Sequence, residues 1–345
     1  MKNQNNILQA TKSWKNINTH YLEVLKDPWY RLICDLENLI SKYTYQFYFG
    51  KDMKTIHLPI TTSTISSPMG LGSDSSPVKI NLFNIPTYLA DSMQFMLEYG
   101  CRLYKQGCFY IMPSFRGELA DERHLCQFYH SEAEIVGTME DAINLVEEYV
   151  KYLTNGILEE YGSELKKNRG SLSHLYKLKE MKEIPRVRFE EAVEILNKDY
   201  EGKGYEKNEL FTNINKIGEQ YLIEHFGGIV WITNFEHMAL PFYQAYEDER
   251  YAKNADLLFG IGEVVGLGER HFGYQDVQKS LKQHQVSPEE YEWYCKMKQL
   301  YPLKTSGYGL GIERYLLWVL NHNDIRDCQL LPRFNGENII FLKTY

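Results

Sequence analysis

The amino-acid sequence predicts an α+β fold in which a mostly antiparallel sheet is flanked by helices. Three stretches carry this prediction. Apolar residues recur at helical spacing over 29–43, two alternating runs flank a polar segment over 110–135, and glycines alternate over 307–311 ahead of an apolar run. These patterns are typical of a core-facing helix, an antiparallel hairpin, and a strand that leads into a helix.

The composition is that of a globular protein without a strongly charged surface. A chain of 345 residues can bury a large core, and 43% of it is hydrophobic. The net charge of −8 argues against general binding to nucleic acids or anionic membranes. Six cysteines without a CxxC pair indicate reduced thiols instead of a zinc site. With neither a signal peptide nor an apolar run of membrane-spanning length, the sequence predicts a cytoplasmic protein with no membrane partner.

The first segment, 1–50, is predicted to be a polar lead-in followed by a helix. Asp27 and Pro28 mark the start of this helix, because a carboxylate caps backbone N–H groups and proline fits the first turn. The apolar stripe of the helix is expected to face the core. A larger domain, predicted over 51–345, carries the chemistry.

The charged hairpin in the second stretch is the strongest candidate for a functional site. Arg116 and Glu118 are expected on one face of it, with Phe128 on the returning strand opposite them. An arginine fork suits a phosphate, further cations at Arg123 and His124 suit a polyphosphate, and an aromatic face suits a purine. These features predict an ATP site. A surface hairpin with exposed salt bridges is the alternative, since such pairs are common.

The glycine-rich stretch, 307–320, supports the ATP interpretation. Gly309 and Gly311 fall in a predicted strand, where missing side chains let a flat ligand approach the backbone. Arg314, at the start of the following helix, is expected to stack on the face of the purine opposite Phe128. A dinucleotide-binding fingerprint is disfavoured, because no acidic residue follows about twenty positions later to hold a ribose.

Together, the hairpin and the glycine-rich stretch resemble the second and third signature motifs of class II aminoacyl-tRNA synthetases. The hairpin contains Phe-Arg-x-Glu followed by Arg-His and Phe, and the later stretch reads Gly-x-Gly-x-Gly-x-Glu-Arg. The sequence is most similar to asparaginyl-tRNA synthetase and to the archaeal-type asparagine synthetase with the same catalytic core, over residues 58–336. The resemblance implies a class II synthetase-like fold, ATP and Mg2+ as cofactors, and a homodimer.

This resemblance implies nine ATP-binding residues, of which Arg116, Glu263 and Arg314 are expected to be catalytic. The nine are Arg116, Glu118, Arg123, His124, Phe128, Glu263, Gly309, Gly311 and Arg314. Asp256 and Glu263 are expected to bind the magnesium that bridges the ATP phosphates, since Mg2+ accepts one or two carboxylates together with phosphate and water oxygens. Exposure of both acids to solvent is the alternative.

An amino-acid pocket is also implied. Ser92, Gln94 and Glu132 are expected to bind a substrate α-ammonium group, which a carboxylate and two neutral acceptors can neutralise and orient. Relatives that handle aspartate carry a lysine directly before the position of Glu98, whereas those that handle asparagine carry leucine and then glutamate, as this sequence does. Glu98 is therefore expected to accept from a side-chain amide and Arg270 to donate to its carbonyl. A solvent-exposed Glu98 is the alternative.

The remaining segments are assigned structure but little chemistry. The pattern over 138–162 predicts a long amphipathic helix, and 228–232 indicates a buried strand. Region 165–204 departs most from the family and is interpreted as an insertion or connecting region, with a helix near 189–197. Residues 240–243 lie where the family lines its substrate pocket.

Several departures from the family concern the acceptor of the reaction. Asparaginyl-tRNA synthetases carry an anticodon-binding barrel of about a hundred residues ahead of the core, whereas only about fifty residues precede Lys51 here. A tRNA partner is therefore not expected. Lys304 and Thr305 replace the usual proline and histidine, and His271 replaces a glutamate. These changes leave the acceptor open, and ammonia is the first candidate because no glutaminase signature is present.

The leading functional interpretation is an asparagine-synthetase-like ligase. A carboxylate of aspartate, or of an aspartyl or asparaginyl substrate, attacks the α-phosphorus of ATP, and ammonia then displaces AMP from the acyl-adenylate to form an amide. Three alternatives stay open. They are a biosynthetic paralogue that converts a peptide or metabolite side chain to an amide or nitrile, an enzyme that makes asparaginyl-adenylate for tRNA or a carrier, and a non-catalytic amino-acid-binding paralogue.

Overall fold

The computed structural model describes residues 7–66 and 76–334 and confirms the α+β fold. The strands are β1 (Lys54–Thr55), β2 (Thr61–Thr62), β3 (Val78–Leu82), β4 (Ile85–Leu89), β5 (Cys108–Phe115), β6 (Gln127–Val136), β7 (Arg186–Arg188), β8 (Tyr205–Lys207), β9 (Thr212–Ile214), β10 (Ile229–Thr233), β11 (Asn254–Phe259), β12 (Gly262–Glu269) and β13 (Thr305–Gly311). The helices are α1 (Ile17–Val24), α2 (Pro28–Gly50), α3 (Gln94–Leu103), α4 (Met139–Arg169), α5 (Ser173–Glu180), α6 (Phe189–Tyr200), α7 (Lys216–His225), α8 (Tyr274–Gln283), α9 (Glu292–Leu300) and α10 (Ile312–Val319).

An eight-stranded sheet forms the centre of the molecule, in the order β1-β5-β6-β13-β12-β11-β10-β7. Along this order, each neighbouring pair from β5 through β6, β13, β12 and β11 to β10 is antiparallel. The short edge strands run parallel to their neighbours, β1 to β5 and β7 to β10. The predicted mostly antiparallel sheet is therefore confirmed. The hairpin is β5–β6, and the glycine-rich stretch is β13 followed by α10, as predicted.

Helices α2, α4 and α10 pack against the central strands and share the main hydrophobic core. Helix α2 begins as predicted, because the Asp27 carboxylate accepts from the backbone N–H of Trp29 at 2.9 Å. Helix α4 begins with a reciprocal capping box between Thr138 and Asp141 and extends beyond the predicted end at 162. Since α2 shares one core with α4 and α10, the boundary between 1–50 and 51–345 does not separate two cores.

Region 165–204, interpreted from the sequence as an insertion or connecting region, contributes to the main fold. It contains the end of α4, then α5, β7 and α6, and β7 pairs in parallel with β10. This pairing places the region at the edge of the central sheet. The helix predicted near 189–197 is confirmed as α6. A strand of three residues is too short to show an alternating pattern, so the sequence did not indicate it.

Two further observations concern the described residues as a whole. No helix within them combines the length and apolar character needed to cross a membrane. All six cysteines lie within them, and none forms a disulfide. The second finding agrees with the prediction of reduced thiols.

Candidate active site

Two adjoining cavities lie where the β5–β6 hairpin meets strands β12 and β13. The smaller, which we call the hairpin pocket, has a volume of about 70 Å³, and the larger, the inner pocket, about 310 Å³. Arg116, His130, Glu263 and Gly309 line both. Ligands in the two pockets would therefore meet at this shared wall.

The hairpin pocket brings together all the residues to which the resemblance assigns ATP. It is lined by Arg116, Glu118, Arg123, His124, Phe128, Glu263, Gly309, Gly311 and Arg314, among others. The register of the hairpin explains part of this arrangement, because Ser114 lies opposite Phe128 and Arg116 follows directly after the end of β5. The charged side chains therefore surround a cavity, which argues against the surface-hairpin alternative.

Arg116 has a hydrogen-bonding group that the protein itself does not satisfy. Its guanidinium carbon lies 5.3 Å from the centroid of the Phe128 ring. Its Nε is buried without a hydrogen-bond partner. Because an unsatisfied buried donor is costly, an anionic ligand such as a phosphate would stabilise this side chain.

The predicted polyphosphate contacts Arg123 and His124 lie in the hairpin connection and already have acidic partners. Arg123 Nη2 donates to Glu219 on α7. Asp121 Oδ1 accepts from the backbone N–H groups of Arg123 and His124 at 2.7 and 2.8 Å. Burial and the nearby Arg314 lower the pKa of His124. Glu219 was missed in the sequence because it belongs to a helix distant from both motifs.

Asp256 on β11 and Glu263 on β12 converge above Gly266. An ideal Cβ placed on Gly266 would lie 2.8 Å from Glu263 Oε1 and 3.8 Å from Asp256 Oδ1. Burial, Glu263 and Glu219 together raise the pKa of Asp256 well above its ordinary value. A divalent cation would relieve this repulsion, and two carboxylates completed by phosphate and water oxygens suit Mg2+. No larger metal-binding cluster of His, Cys, Asp and Glu occurs in the described residues.

The first residues of α10 connect the glycine-rich strand to its neighbours. Arg314 Nη1 donates to the backbone oxygen of Glu263 at 2.6 Å. The buried carboxylate of Glu313 accepts from the backbone N–H of Tyr129 at 3.0 Å and from Gln329 Nε2 at 2.6 Å. Glu313 thus joins β6 to the C-terminal segment, a structural role that the sequence did not indicate.

The residues predicted to bind a substrate ammonium group lie together in the inner pocket. Ser92 Oγ donates to Glu132 Oε2 at 2.6 Å, and Glu132 also contacts His130 and Tyr110. Burial opposes ionisation of Glu132, but the interactions with His130, Ser92 and Tyr110 outweigh it and lower its pKa. The side-chain amide atoms of Gln94, Nε2 and Oε1, are buried and have no hydrogen-bond partner. An ionised carboxylate near an unsatisfied amide oxygen suits an ammonium ligand.

Arg270, Glu134 and Gln244 form a hydrogen-bonded cluster in the lining of the inner pocket, which we call the side-chain subsite. Arg270 Nη2 donates to Glu134 Oε2 at 3.0 Å, and its Nη1 donates to Gln244 Oε1 at 3.2 Å. Burial raises the pKa of Glu134 to about 7, with Arg270 opposing the change and Glu98 adding to it. Arg270 was predicted to line this pocket, whereas roles for Glu134 and Gln244 were not.

Four glycines on β12 and β13 lie beneath these polar side chains. Gly266 pairs with Gly309, and Gly268 pairs with Gly307. A Cβ on Gly268 or Gly307 would overlap a polar side chain of the side-chain subsite. Because these glycines have no side chain, the polar side chains of the subsite can occupy the space above the two strands. The sequence indicated this for β13 but not for β12.

The structure contradicts the alternative of an exposed Glu98, whereas the contact from Glu98 to a substrate amide stays a prediction. Glu98 is buried and does not line the inner pocket. Its Oε2 lies 2.5 Å from Lys298 Nζ, and its Oε1 accepts from the Tyr294 hydroxyl at 2.9 Å. Lys298 also donates to the backbone oxygen of His271 at 2.7 Å. The sequence could not reveal this pair, because its members lie on α3 and α9.

His271, one of the departures from the family, belongs to a buried histidine cluster and does not line either pocket. His284 Nε2 lies 3.1 Å from His237 Nδ1, and the His237 and His271 ring centroids are 5.8 Å apart. Burial lowers the pKa of His237 and His284 to about 4 and that of His271 to about 3. His237 Nε2 contacts the backbone oxygen of Gln244 at 2.8 Å. The cluster therefore lies directly behind the side-chain subsite.

Sequence relatives of this chain include proteins named as probable asparagine–tRNA ligases. A protein named "probable asparagine–tRNA ligase, cytoplasmic" from Encephalitozoon cuniculi is 29% identical over 308 residues, which cover 85% of this chain and 65% of the relative. A protein of the same name from Enterocytozoon bieneusi is 28% identical and is covered over 67% of its length. The chain thus spans about two thirds of the length of these relatives.

Solved structures share the fold. Asparaginyl-tRNA synthetase from Pyrococcus horikoshii, complexed with asparaginyl-adenylate, matches with a TM-score of 0.84 and 24% identity over 93% of this chain and 72% of that structure. The Entamoeba histolytica enzyme, also with asparaginyl-adenylate, matches with a TM-score of 0.82 and 23% identity over 96% of this chain and 73% of that structure. The family profile for class II tRNA synthetases (D, K and N) matches residues 14–335. The chain therefore belongs to the class II aminoacyl-tRNA synthetase family, whose members are ATP-dependent adenylate-forming ligases.

Proposed function

We propose that this chain uses ATP and Mg2+ to adenylate a carboxylate of aspartate or asparagine, and that ammonia then attacks the adenylate to give an amide. The observation that carries the adenylation step is the wall shared by the two pockets. ATP in the hairpin pocket and an amino acid in the inner pocket would bring the α-phosphorus and the carboxylate together beside Arg116 and Glu263. Such positioning is the main requirement of a phosphoryl-group displacement.

The polar groups of the inner pocket support an amino acid of this size. Glu132 and Gln94 would bind the α-ammonium group, and Arg270 would orient a short side chain that ends in a carbonyl or carboxylate. The similar structures that contain asparaginyl-adenylate support the same class of ligand. Both substrates fit the proposal, since they differ only in the terminal group of the side chain.

The proposed chemistry is an in-line attack of the substrate carboxylate oxygen on the α-phosphorus, with pyrophosphate leaving. Arg116 stabilises the charge that develops on the phosphoryl oxygens, and Arg123 and His124 hold the departing pyrophosphate. Asp256 and Glu263 would hold Mg2+, which neutralises phosphate charge. The substrate carboxylate attacks ATP directly in this mechanism, so no covalent enzyme intermediate is needed.

In the second step the ammonia nitrogen attacks the acyl carbon, the bond from that carbon to the AMP oxygen breaks, and a proton is released. Because ammonia is much smaller than tRNA, it would need no binding surface beyond the shared wall of the two pockets. Transfer to tRNA is the second candidate, favoured by the names of the sequence relatives. The two candidates share the first step and differ in the acceptor.

The decisive experiment measures ATP–pyrophosphate exchange with aspartate and with asparagine, followed by product analysis with ammonium. Exchange that depends on either amino acid supports adenylation, and AMP together with a new amide supports ammonia as the acceptor. Exchange without an amide, but with acyl transfer to added tRNA, would favour the second candidate. Absence of exchange with both amino acids would contradict the proposed function.

We also propose a cytoplasmic homodimer formed through α2 and the segment after it. Phe49 at the end of α2 and Ile60 shortly after it are 52% and 45% exposed, so both present apolar surface. The sequence relatives are named cytoplasmic. Light scattering at micromolar concentration checks the oligomeric state, and a monomer would contradict this part of the proposal.

A further inference from the structure

We propose that His130 is a further catalytic residue, a general base that takes the proton released when the acceptor nitrogen attacks the adenylate. This inference rests on the proposed function, because it concerns the second of its two steps. His130 belongs to β6, and it lines both the hairpin pocket and the inner pocket. It therefore lies at the shared wall, where the acyl carbon of the adenylate would be attacked.

The other residues at the shared wall do not suit this role. Among the described residues, Arg116, Glu263 and Gly309 also line both pockets. Glycine has no side chain, arginine stays protonated and has no acceptor, and Glu263 is assigned to Mg2+ in the first step. His124 lines the hairpin pocket but not the inner pocket. Because an imidazole accepts and releases a proton near neutral pH, His130 is the side chain of this wall that fits a proton transfer.

The imidazole of His130 is held through one of its nitrogens, Nδ1. This atom lies 2.9 Å from Glu132 Oε1 and 2.8 Å from Ser114 Oγ. The Phe128 ring meets the imidazole edge-on, with the two centroids 4.8 Å apart. Because an ionised carboxylate accepts but does not donate, Glu132 favours the tautomer with the proton on Nδ1. Nε2 then carries the lone pair that takes a proton.

The surroundings of the ring also suit the charge that the base acquires. Glu132 is buried, and its Oε2 accepts from Ser92 and Tyr110 at 2.6 and 2.5 Å, so the carboxylate is fixed in place. An ionised carboxylate beside an imidazole stabilises the imidazolium that forms on proton transfer. Gly311, opposite His130 on β13, has no side chain to cover the ring. The His130 side chain is 14% exposed, which leaves a route for the proton to water.

The proton transfer completes the second step. The lone pair of the ammonia nitrogen forms a bond to the acyl carbon, and the bond from that carbon to the AMP oxygen breaks, with its electron pair leaving on AMP. The nitrogen then carries one proton more than the amide product, and Nε2 of His130 accepts it. The imidazolium releases this proton to water. The first step, in which an ionised carboxylate attacks ATP, releases no proton and does not need the base.

The test measures the two steps separately in His130→Asn. Asparagine places an amide N–H near the position of Nδ1, so the contact to Glu132 is kept, but it has no group in the place of Nε2. ATP–pyrophosphate exchange, which reports the first step, should stay close to the wild-type rate. Amide formation from ammonium, in a single turnover of preformed adenylate, should fall by about 100-fold. If His130→Asn does not fold, His130→Gln decides, because its neutral amide cannot take a proton either.

His124→Asn provides the contrast, because His124 is assigned to the departing pyrophosphate. It should slow exchange and leave amide formation from preformed adenylate unchanged. If His130 only holds Glu132 in place, its variants would instead raise KM for the amino acid in exchange, and amide formation would fall no further than exchange does. That result would overturn the inference and leave the proposed function intact. Wild-type exchange without an amide would overturn ammonia as the acceptor, and this inference with it.

Discussion

The two pockets of the candidate active site differ in how their charges are balanced. In the hairpin pocket Arg116 keeps a buried donor without a partner. In the inner pocket Arg270 is paired with Glu134, and behind it Lys298 is paired with Glu98. A pocket for a polyanion such as ATP needs cationic side chains that are not already paired with protein carboxylates. A pocket for a short amino-acid side chain can instead be lined by acidic and basic groups whose charges nearly cancel. The difference teaches that the same residue types leave a buried donor unpaired in one pocket and form ion pairs in and behind the other.

The largest effect is expected from removing the arginine at the shared wall. Arg116→Ala should reduce kcat for ATP–pyrophosphate exchange by about 100-fold to 1,000-fold, because a donor to the developing phosphoryl charge is lost. Circular dichroism should show an unchanged fold. Arg250→Ala is the matched control, since Arg250 also lies over an aromatic ring, Tyr251, but outside both pockets. Full activity in Arg116→Ala would break the comparison, because the unpaired donor of the hairpin pocket would then not be required.

Asp256→Asn should separate stability from activity. Burial, Glu263 and Glu219 disfavour the Asp256 charge in the absence of a cation, so its removal should stabilise the metal-free protein by about 1 kcal/mol. The same change should lower exchange activity by about 100-fold and raise the Mg2+ concentration needed for half-maximal rate. Thermal melting and a magnesium titration measure the two effects. Asp276→Asn, at an exposed position on α8, is the control. A variant that is less stable but equally active would show that Asp256 is structural.

The histidine cluster should make the protein sensitive to acid. The pKa values of His237, His271 and His284 in the folded chain are about 4, 3 and 4, below the ordinary 6.5. Between pH 6.5 and about 4 the unfolded chain therefore binds more protons, so the stability due to the cluster is present above pH 6.5 and is lost as the pH falls through this window.

Urea unfolding at pH 7.5 and pH 5 measures this effect. His284→Phe should reduce the loss of unfolding free energy between the two pH values by about 1–2 kcal/mol. His225→Phe, at an exposed position on α7, should leave the loss unchanged. An identical pH dependence in His284→Phe and the wild type would show that the region behind the inner pocket does not depend on neutral histidines.

The smallest effect is expected at the ammonium-binding wall. Ser92→Ala removes one of several hydrogen bonds to Glu132 and should raise KM for the amino acid by about five-fold to ten-fold, with little change in kcat or in KM for ATP. Steady-state kinetics with each substrate varied in turn measure this separation. Ser114→Ala is a useful control, because Ser114 donates to or accepts from His130 at 2.8 Å and does not line the inner pocket. An equal rise in both KM values would show that the two pockets are not distinct.

The hairpin pocket could be predicted because its residues lie within short motifs. Arg116 and Phe128 belong to one hairpin, and Gly311 and Arg314 belong to one strand and the helix after it. Over such distances the spacing in the sequence nearly determines which side chains meet. The same locality allowed the capped start of α2 and the order of β13 and α10 to be predicted.

The inner pocket could not be predicted to the same extent, because its important pairs join distant elements. Glu134 meets Arg270 across the sheet, and Glu98 meets Lys298 between two helices. Neither pairing leaves a periodic signal, so the sequence did not indicate that Lys298 on α9 pairs with Glu98. Likewise, the short strand β7 in region 165–204 gave no pattern, so its place at the sheet edge was not predicted.

The paired glycines of β12 and β13 constrain how this site can be redesigned. Any side chain added at Gly268 or Gly307 would displace the enzyme's own polar groups before it reached a ligand. Altered substrate scope must therefore come from the other lining residues of the inner pocket, such as Leu240, Pro241 and Tyr243, while the glycines of the two strands stay unchanged. An inhibitor that contacts the backbone of Gly268 and Gly307 would be difficult to defeat by mutation, because a substitution at either glycine would also disrupt the substrate pocket.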